Sequence, residues 1–227
     1  MDVNLRQDMN TTQTPDDSLK LPQALRLRCY RHGESAANAG EATATPDGIP
    51  LTPLGHAQAE RIASSLDRAP DLVIVSPFRR AMETAAPSLA RFNGVRHEIW
   101  PVQEFTYLAP SRCAGTTVAQ RRPWTSAYWD RCDPDSRDGD ESESFSGFTQ
   151  RVRDMMGRLE ALHGAGLRSA MLFGHAQFIL LLKLIVDEPA AAAIDMRRFR
   201  HLDLHEPIRN GEALDFCFDG SRWTLAD

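Results

Sequence analysis

The chain lacks what several large protein classes require. Its four cysteines (Cys29, Cys113, Cys132, Cys217) are scattered with no CxxC pair, which fits reduced thiols and supplies neither a disulfide framework nor a zinc-binding cysteine set. It has no long hydrophobic run. The longest, "FILLLKLIV" at 178–186, is interrupted by Lys183 and too short to span a bilayer, so a buried helix is expected and no membrane partner. The opening residues, 1–24, have no apolar core of the kind a secretory signal carries. A flexible tail and a cytoplasmic protein are the expectation. Basic excess is missing too: at a net charge of −5 the chain offers no footprint for nucleic acid, although a local positive pocket can sit within an acidic surface. With 42% hydrophobic and 25% charged residues the composition is that of an ordinary soluble protein, and 227 residues suffice for one sizeable core, so 25–227 is expected to form a single domain.

What the chain does have is an alternation of strand-like and helix-like segments. "LRLRCY" at 25–30 precedes a glycine-containing turn and reads as a strand. "LTPLGHAQAERIASSLDRA" at 51–69 places Leu54, Ala57, Ile62 and Leu66 on a helical stripe, with Thr52 as N-cap and Pro53 in the first turn. "DLVIVS" at 71–76 is a continuous apolar run of the sort a strand covered on both faces carries, and "FRRAMETAAPSLARF" after it reads as a helix with a kink or break at Pro87. "VRHEIW" at 95–100 alternates as a strand. From about 105 to 142 the pattern dissolves into Pro, Gly, Arg and aromatic residues, too long for an ordinary connection, and a functional flap with some helix is expected. Phe145, Phe148, Val152, Met155, Met156 and Leu159 then mark a helix closing on Gly164 or Gly166. "SAMLF" is another buried strand, "HAQFILLLKLIVD" a helix, and "ALDFCFDGSRWTL" a hairpin around Asp219-Gly220. The alternation predicts an α/β fold, a three-layer α/β/α sandwich around a mostly parallel sheet.

Chemistry collects where strands hand over to helices. In open parallel sheets the ligand crevice lies at the carboxyl ends of the strands, so "RHGES", "SPFRRAMETA" and "GHAQF" can converge although distant in sequence. The converging set is Arg31, His32, Arg79 and His175. Two guanidinium groups, two imidazoles and helix-start amides favour a dianion, and phosphate is the natural guest. Neighbouring positive charge keeps an imidazole neutral near pH 7, so His32 is the expected nucleophile, with Arg31, Arg79 and His175 holding the phosphoryl oxygens and Gly33 leaving room for their approach. A leaving alcohol needs a proton. Glu104, in "PVQEFTYL" after a strand, is the expected acid/base, while Glu34 is expected to brace the turn.

The ordered set "RHGES" with Asn38, "LTPLGHAQA", "SPFRRAMETA", "ESF" at 143–145 and "GHA" at 174–176 resembles the histidine phosphatase superfamily, branch 1, which includes the cofactor-dependent phosphoglycerate mutases. The resemblance runs from about Leu25 to Ile185. It implies a phosphoglycerate mutase-like fold, a phosphohistidine intermediate on His32, phosphate binding by Arg31, Arg79 and His175, an acid/base at Glu104, a further phosphate or substrate contact at Asn38, and neither metal nor cofactor. Ala176 stands where the family usually has glycine. The long substrate-clamping insertion of the mutases, with its Trp-His-Leu-Asn type signature, is absent, which favours transfer to water. The expected activity is therefore phosphomonoester hydrolysis of a small phosphorylated substrate by a metal-independent, acid-type histidine phosphatase. A mutase and a non-catalytic phosphate-binding module are the alternatives. The sequence leaves the oligomeric state open, a dimer included.

Other candidates have duller explanations. His56, His97, His163, His201 and His205 have no companion motif. The acidic run "DPDSRDGDESES" at 133–144 fails the EF-hand template, since Arg137 occupies a ligand position and Gly139 falls one place late, and it reads as a solvated loop apart from Glu143-Ser144 at a helix start or rim. Arg112, Arg121, Arg122, Trp124, Tyr128 and Trp129 of the flap either shape substrate choice or pack the flap down.

Overall fold

The computed structural model describes residues 24–226; the expected tail, 1–24, lies outside the described residues except for its last position. The described elements run β1 (Leu25–Arg31), α1 (Pro53–Ser65), β2 (Leu72–Val75), α2 (Arg79–Arg91), β3 (His97–Ile99), α3 (Pro110–Cys113), α4 (Val118–Arg131), α5 (Phe145–Gly164), β4 (Ser169–Gly174), α6 (Ala176–Asp187), α7 (Met196–His205), β5 (Ala213–Phe218) and β6 (Trp223–Leu225). Six strands form one sheet in the order β3-β2-β4-β1-β5-β6. The first four are parallel, and the β5–β6 hairpin joins β1 antiparallel, as expected for a mostly parallel sheet ending in a C-terminal hairpin.

Strand alternation assigns the two faces. Leu25, Leu27 and Cys29 of β1 point with Leu72, Ile74, Leu172 and Phe216 into the larger core, closed by Phe148, Val152 and Leu159 of α5 and the apolar side of α6. Tyr30, Val73, Val75 and Phe173 point the other way and meet Ile62, Leu66 and Ala85 from α1, α2 and their margins. Helices therefore cover both faces, which is the α/β/α sandwich.

Three local expectations need correction. The buried face of α1 is Gly55, Ala59, Ile62 and Ala63, while Leu54 is 49% exposed. The helix is turned because a Cβ at Gly55 would collide with the Glu34 carbonyl oxygen, so the glycine must face the β1 turn. Pro87 does not end α2, which continues to Arg91 with the proline inside it. The third is α7, which no apolar stripe announced; Met196 and Phe199 are its buried anchors and Asp195 its N-cap.

Within the expected flap, two helices form. Tyr128 and Trp129 are buried against Phe105, which also stacks on Phe148 of α5 with centroids 4.6 Å apart. This aromatic cluster pins the segment that carries Glu104 to the larger core. Arg112 lies over Trp124 and pairs with Asp138, so both are packing residues.

Candidate active site

Parallel pairing brings the strand ends together. Arg31 is in register with Gly174 and Val75 with Phe173, so His32, Ser76 and His175 leave the sheet side by side. The helix after β1 packs on one face and the helix after β4 on the other, which opens a crevice between these two neighbouring strands. A cavity of about 260 Å³ opens there, with Arg31, His32, Asn38, Arg80, Glu104 and Arg121 among the residues that line it.

His32 is 3% exposed. Its Nδ1 lies 2.7 Å from the Gly33 carbonyl oxygen, which can only accept, so Nδ1 carries the proton and Nε2 keeps its lone pair. Arg80 Nε–H donates to that Nε2 at 3.1 Å. Burial, then the charges of Arg80 and Arg31, hold the His32 pKa well below its ordinary value. The imidazole is neutral, with its Nε2 lone pair turned toward Arg80.

The second arginine is a correction. Arg79 was expected at the phosphate, but its Nε donates to Glu83 Oε1 at 2.6 Å and its side chain is 55% exposed. Arg80 takes the place. Successive residues of a helix point about 100° apart, so only one of the pair can face the strand ends, and that face holds Arg80 with Thr84, whose hydroxyl accepts from the Gly33 amide. Arg80 is 6% exposed and donates from Nη1 to the Pro46 carbonyl at 2.6 Å. Burial lowers its pKa to about 10, which leaves it charged at neutral pH.

Arg31 reaches Ile208 O from Nη1 at 2.6 Å, while its buried Nε has no hydrogen-bond partner. Asn38 holds its Oδ1 toward Ser35 and Asn210, accepting from Ser35 N, Ser35 Oγ and Asn210 Nδ2, which leaves its amide nitrogen for the pocket. Asn210 also donates to His32 O, and neither Asn210 nor Ile208 had a signal in the sequence beyond its place before the last hairpin. Gly33 needs a different account from the expected one. It is glycine because a Cβ would lie 2.5 Å from Gly55 O, a close approach of two backbones and not an opening for phosphate. Glu34 does brace the turn, accepting from Thr52 Oγ1 and donating its amide to Gln58.

Glu104 lines the cavity, with Oε1 accepting from Gln177 N at 3.2 Å and Oε2 4.0 Å from His175 Nδ1. Burial raises its pKa, against the pull of Arg80 and Arg31. His175 is fully buried, its Nε2 is 2.8 Å from Ser76 Oγ, and its Nδ1 has no hydrogen-bond partner. Burial and the charge of Arg80 push its pKa well down. One donor atom each from His32, Glu104 and His175 lie within 4.8 Å of one another, a set of the right types for a divalent metal. The surroundings oppose it. Arg80 already donates to the His32 lone pair, and two guanidinium groups beside the triad favour an anion over a cation.

The family model for the histidine phosphatase superfamily (branch 1) matches residues 27–213. The chain belongs to this family. Its family signature covers the β1, α2 and β4 junctions that build the pocket. The curated Mycobacterium tuberculosis protein Rv0525, described as uncharacterized, is 40% identical over 74 residues, which are 32% of this chain and 37% of that protein, so the match spans little more than a third of the relative's length. Among solved structures, the mycobacterial glucosyl-3-phosphoglycerate phosphatase superposes with a TM-score of 0.68 at 25% identity, covering 89% of this chain and 97% of that one. The alpha-ribazole phosphatase from Shigella flexneri gives 0.69 at 22% identity over 89% and 95% of the two chains. Both share the fold, a phosphoglycerate mutase-like α/β sheet flanked by helices. Among the described residues no helix is long and apolar enough to cross a membrane.

Proposed function

We propose that the chain is a metal-independent phosphomonoesterase of acid type that acts on a small phosphorylated substrate through a phosphohistidine on His32. The observation that carries this reading is the fixed His32 tautomer: Nδ1–H on the Gly33 carbonyl leaves the Nε2 lone pair in a pocket with the buried Arg80 and the half-buried Arg31. That neighbours in fold are phosphatases supports hydrolysis as the outcome.

In the first step the His32 Nε2 lone pair forms the N–P bond as the bond from phosphorus to the leaving oxygen breaks, and protonated Glu104 gives that oxygen its proton. Arg31, Arg80 and the Asn38 amide spread the charge that gathers on the equatorial oxygens. In the second step Glu104, now a carboxylate, takes a proton from water as the water oxygen attacks phosphorus; the N–P bond breaks and its electron pair returns to Nε2. A carboxyl with a raised pKa is suited to the first of these roles, because it stays protonated to higher pH than an ordinary glutamate. Beyond the phosphoryl group the cavity wall is mixed, with Ala44, Ile49 and Leu108 beside Thr106, Thr125 and Arg121.

The test is phosphate release from p-nitrophenyl phosphate by EDTA-treated protein, beside His32→Ala. Release that survives the chelator and vanishes with His32 is the expected result. Release abolished by EDTA and restored by a divalent metal would overturn the metal-independent mechanism, and unchanged release by His32→Ala would overturn the nucleophile.

A further inference from the structure

His175 has an unpartnered Nδ1 4.0 Å from the cavity-lining Glu104, and whether that nitrogen carries a proton decides whether it would attract or repel a phosphoryl oxygen brought beside it. Its other ring nitrogen answers the question through Ser76. Ser76 follows β2 and is fully buried, one residue past the Val75–Phe173 register pair, while His175 follows β4, two residues past it. The Ser76 hydroxyl oxygen accepts from Phe78 N at 3.3 Å and lies 2.8 Å from His175 Nε2.

The hydroxyl has one hydrogen to place. Among the described residues His175 Nε2 is its one acceptor, because the remaining hydrogen-bond contact of Ser76 Oγ is a donor. If Nε2 carried the proton instead, Ser76 Oγ would accept twice and its own hydrogen would be buried without a partner, which costs about 1–3 kcal/mol. We propose that Ser76 is a positioning residue that fixes His175 in the tautomer with its proton on Nδ1, so that an N–H donor and not a lone pair faces the phosphoryl oxygens. The orphaned Nδ1 is then a donor without an acceptor, 4.0 Å from Glu104 Oε2. The buried, cation-flanked setting that keeps this ring neutral makes the tautomer matter, since an imidazolium would donate from both nitrogens. The Phe78 amide completes the arrangement: it occupies an acceptor lobe of Ser76 and so turns the hydroxyl hydrogen toward the histidine.

The assignment of the donor to phosphoryl oxygens rests on the phosphatase reading, whereas the tautomer does not, and the experiment separates them. Nitrogen-15 NMR of histidine-labelled protein, with His175 assigned by comparison with His175→Gln, is expected to show a protonated Nδ1 and a bare Nε2. Ser76→Ala, which removes one buried oxygen with little change of shape, is expected to shift His175 toward the Nε2–H tautomer and to lower kcat about 10–100-fold, with KM within about threefold, as loss of an orienting partner does. Ser76→Thr keeps the hydroxyl and is expected to restore both. A proton on Nε2 in the unsubstituted protein would overturn the proposal. So would a Ser76→Ala protein that keeps the Nδ1–H tautomer, or one that changes tautomer at unchanged kcat. No turnover in the unsubstituted protein with the Nδ1 proton in place would sink the phosphatase reading and leave the tautomer assignment standing.

Discussion

Substituting the two adjacent arginines one at a time puts the site geometry under its hardest test. Arg80 donates to His32 Nε2 at 3.1 Å, is tethered through Nη1 to Pro46 O, and lies with its guanidinium carbon 4.9 Å from the Phe78 ring centre. It is thus a preorganised cation, 6% exposed, and under the proposed mechanism it lies where charge would develop during transfer. Removing one such donor from an active site costs about 2.7–4 kcal/mol, or roughly 10²–10³ in kcat. A full charge with several donors belongs at the upper end, so Arg80→Ala is expected to lower kcat/KM by about 10³. Arg80→Lys retains charge without the fork and should fall between the two.

Arg79 differs in every respect that matters. Its exposed i,i+4 pair with Glu83 is worth about 0.3–0.5 kcal/mol to stability, and Arg79→Ala should leave turnover within about twofold. The assay is steady-state phosphate release from p-nitrophenyl phosphate in chelator-treated buffer, with thermal unfolding to show that each variant folds. An Arg79→Ala loss as large as that of Arg80→Ala, or an Arg80→Ala protein within about threefold of the parent, would refute the placement of α2 against the site.

Four further expectations follow from other parts of the structure. Gly33→Ala forces a Cβ to 2.5 Å from Gly55 O and is expected to destabilise by roughly 1–3 kcal/mol in urea unfolding, whereas Gly157→Ala, in an open position on α5, should stabilise by up to about 1 kcal/mol. Because His32 and His175 have depressed pKa values, the unfolded chain binds more protons than the native one below about pH 6.5; stability is therefore full above that pH and falls as pH drops under it, a dependence that His32→Ala should weaken in denaturation curves across pH. The rate profile follows the same groups: kcat/KM should fall on the acid side as His32 protonates, below the ordinary histidine range, and on the alkaline side as Glu104 loses its proton, above the ordinary carboxylate range. Arg151, 12% exposed, clamps Glu143 and the carbonyls of Pro101 and Gln103 next to Glu104, so Arg151→Ala should cost on the order of 2–4 kcal/mol and lower kcat more than it raises KM.

The sheet was legible because its central strands are buried on both sides. "LVIV" and "SAMLF" are short apolar runs with glycine or polar residues at their ends, and hydrophobicity alone marks such strands. Elements held by few apolar contacts were not: α7, "MRRFRHLDLH", buries Met196 and Phe199 with Leu202 packed beside them, leaves Leu204 exposed and is otherwise polar, so its helix depends on tertiary contact and on the Asp195 cap. The flap was visible as a break in pattern, yet its internal order rests on Phe105 meeting Tyr128, Trp129 and Phe148, contacts between residues up to 43 positions apart that no local period records.

The site divides along the same line. Arg31, His32 and His175 are brought near one another because each sits where a strand ends, and strand ends are set by burial. The arginine on α2 depends instead on helix rotation, which the motif "FRRAM" does not state. The information was nevertheless in the chain. Arg79 has an opposite charge four residues on, at Glu83, so the two can satisfy each other on an outer face. Arg80 has Thr84 four residues on, and Ala81, Ala85 and Ser88 continue a stripe of small side chains that only a packed face would carry. A cation on the small-residue stripe, with no opposite charge one turn away, is the one that folding drives inward, and its burial is tolerable because His32 Nε2 and Pro46 O accept from it and the Glu104 charge favours it.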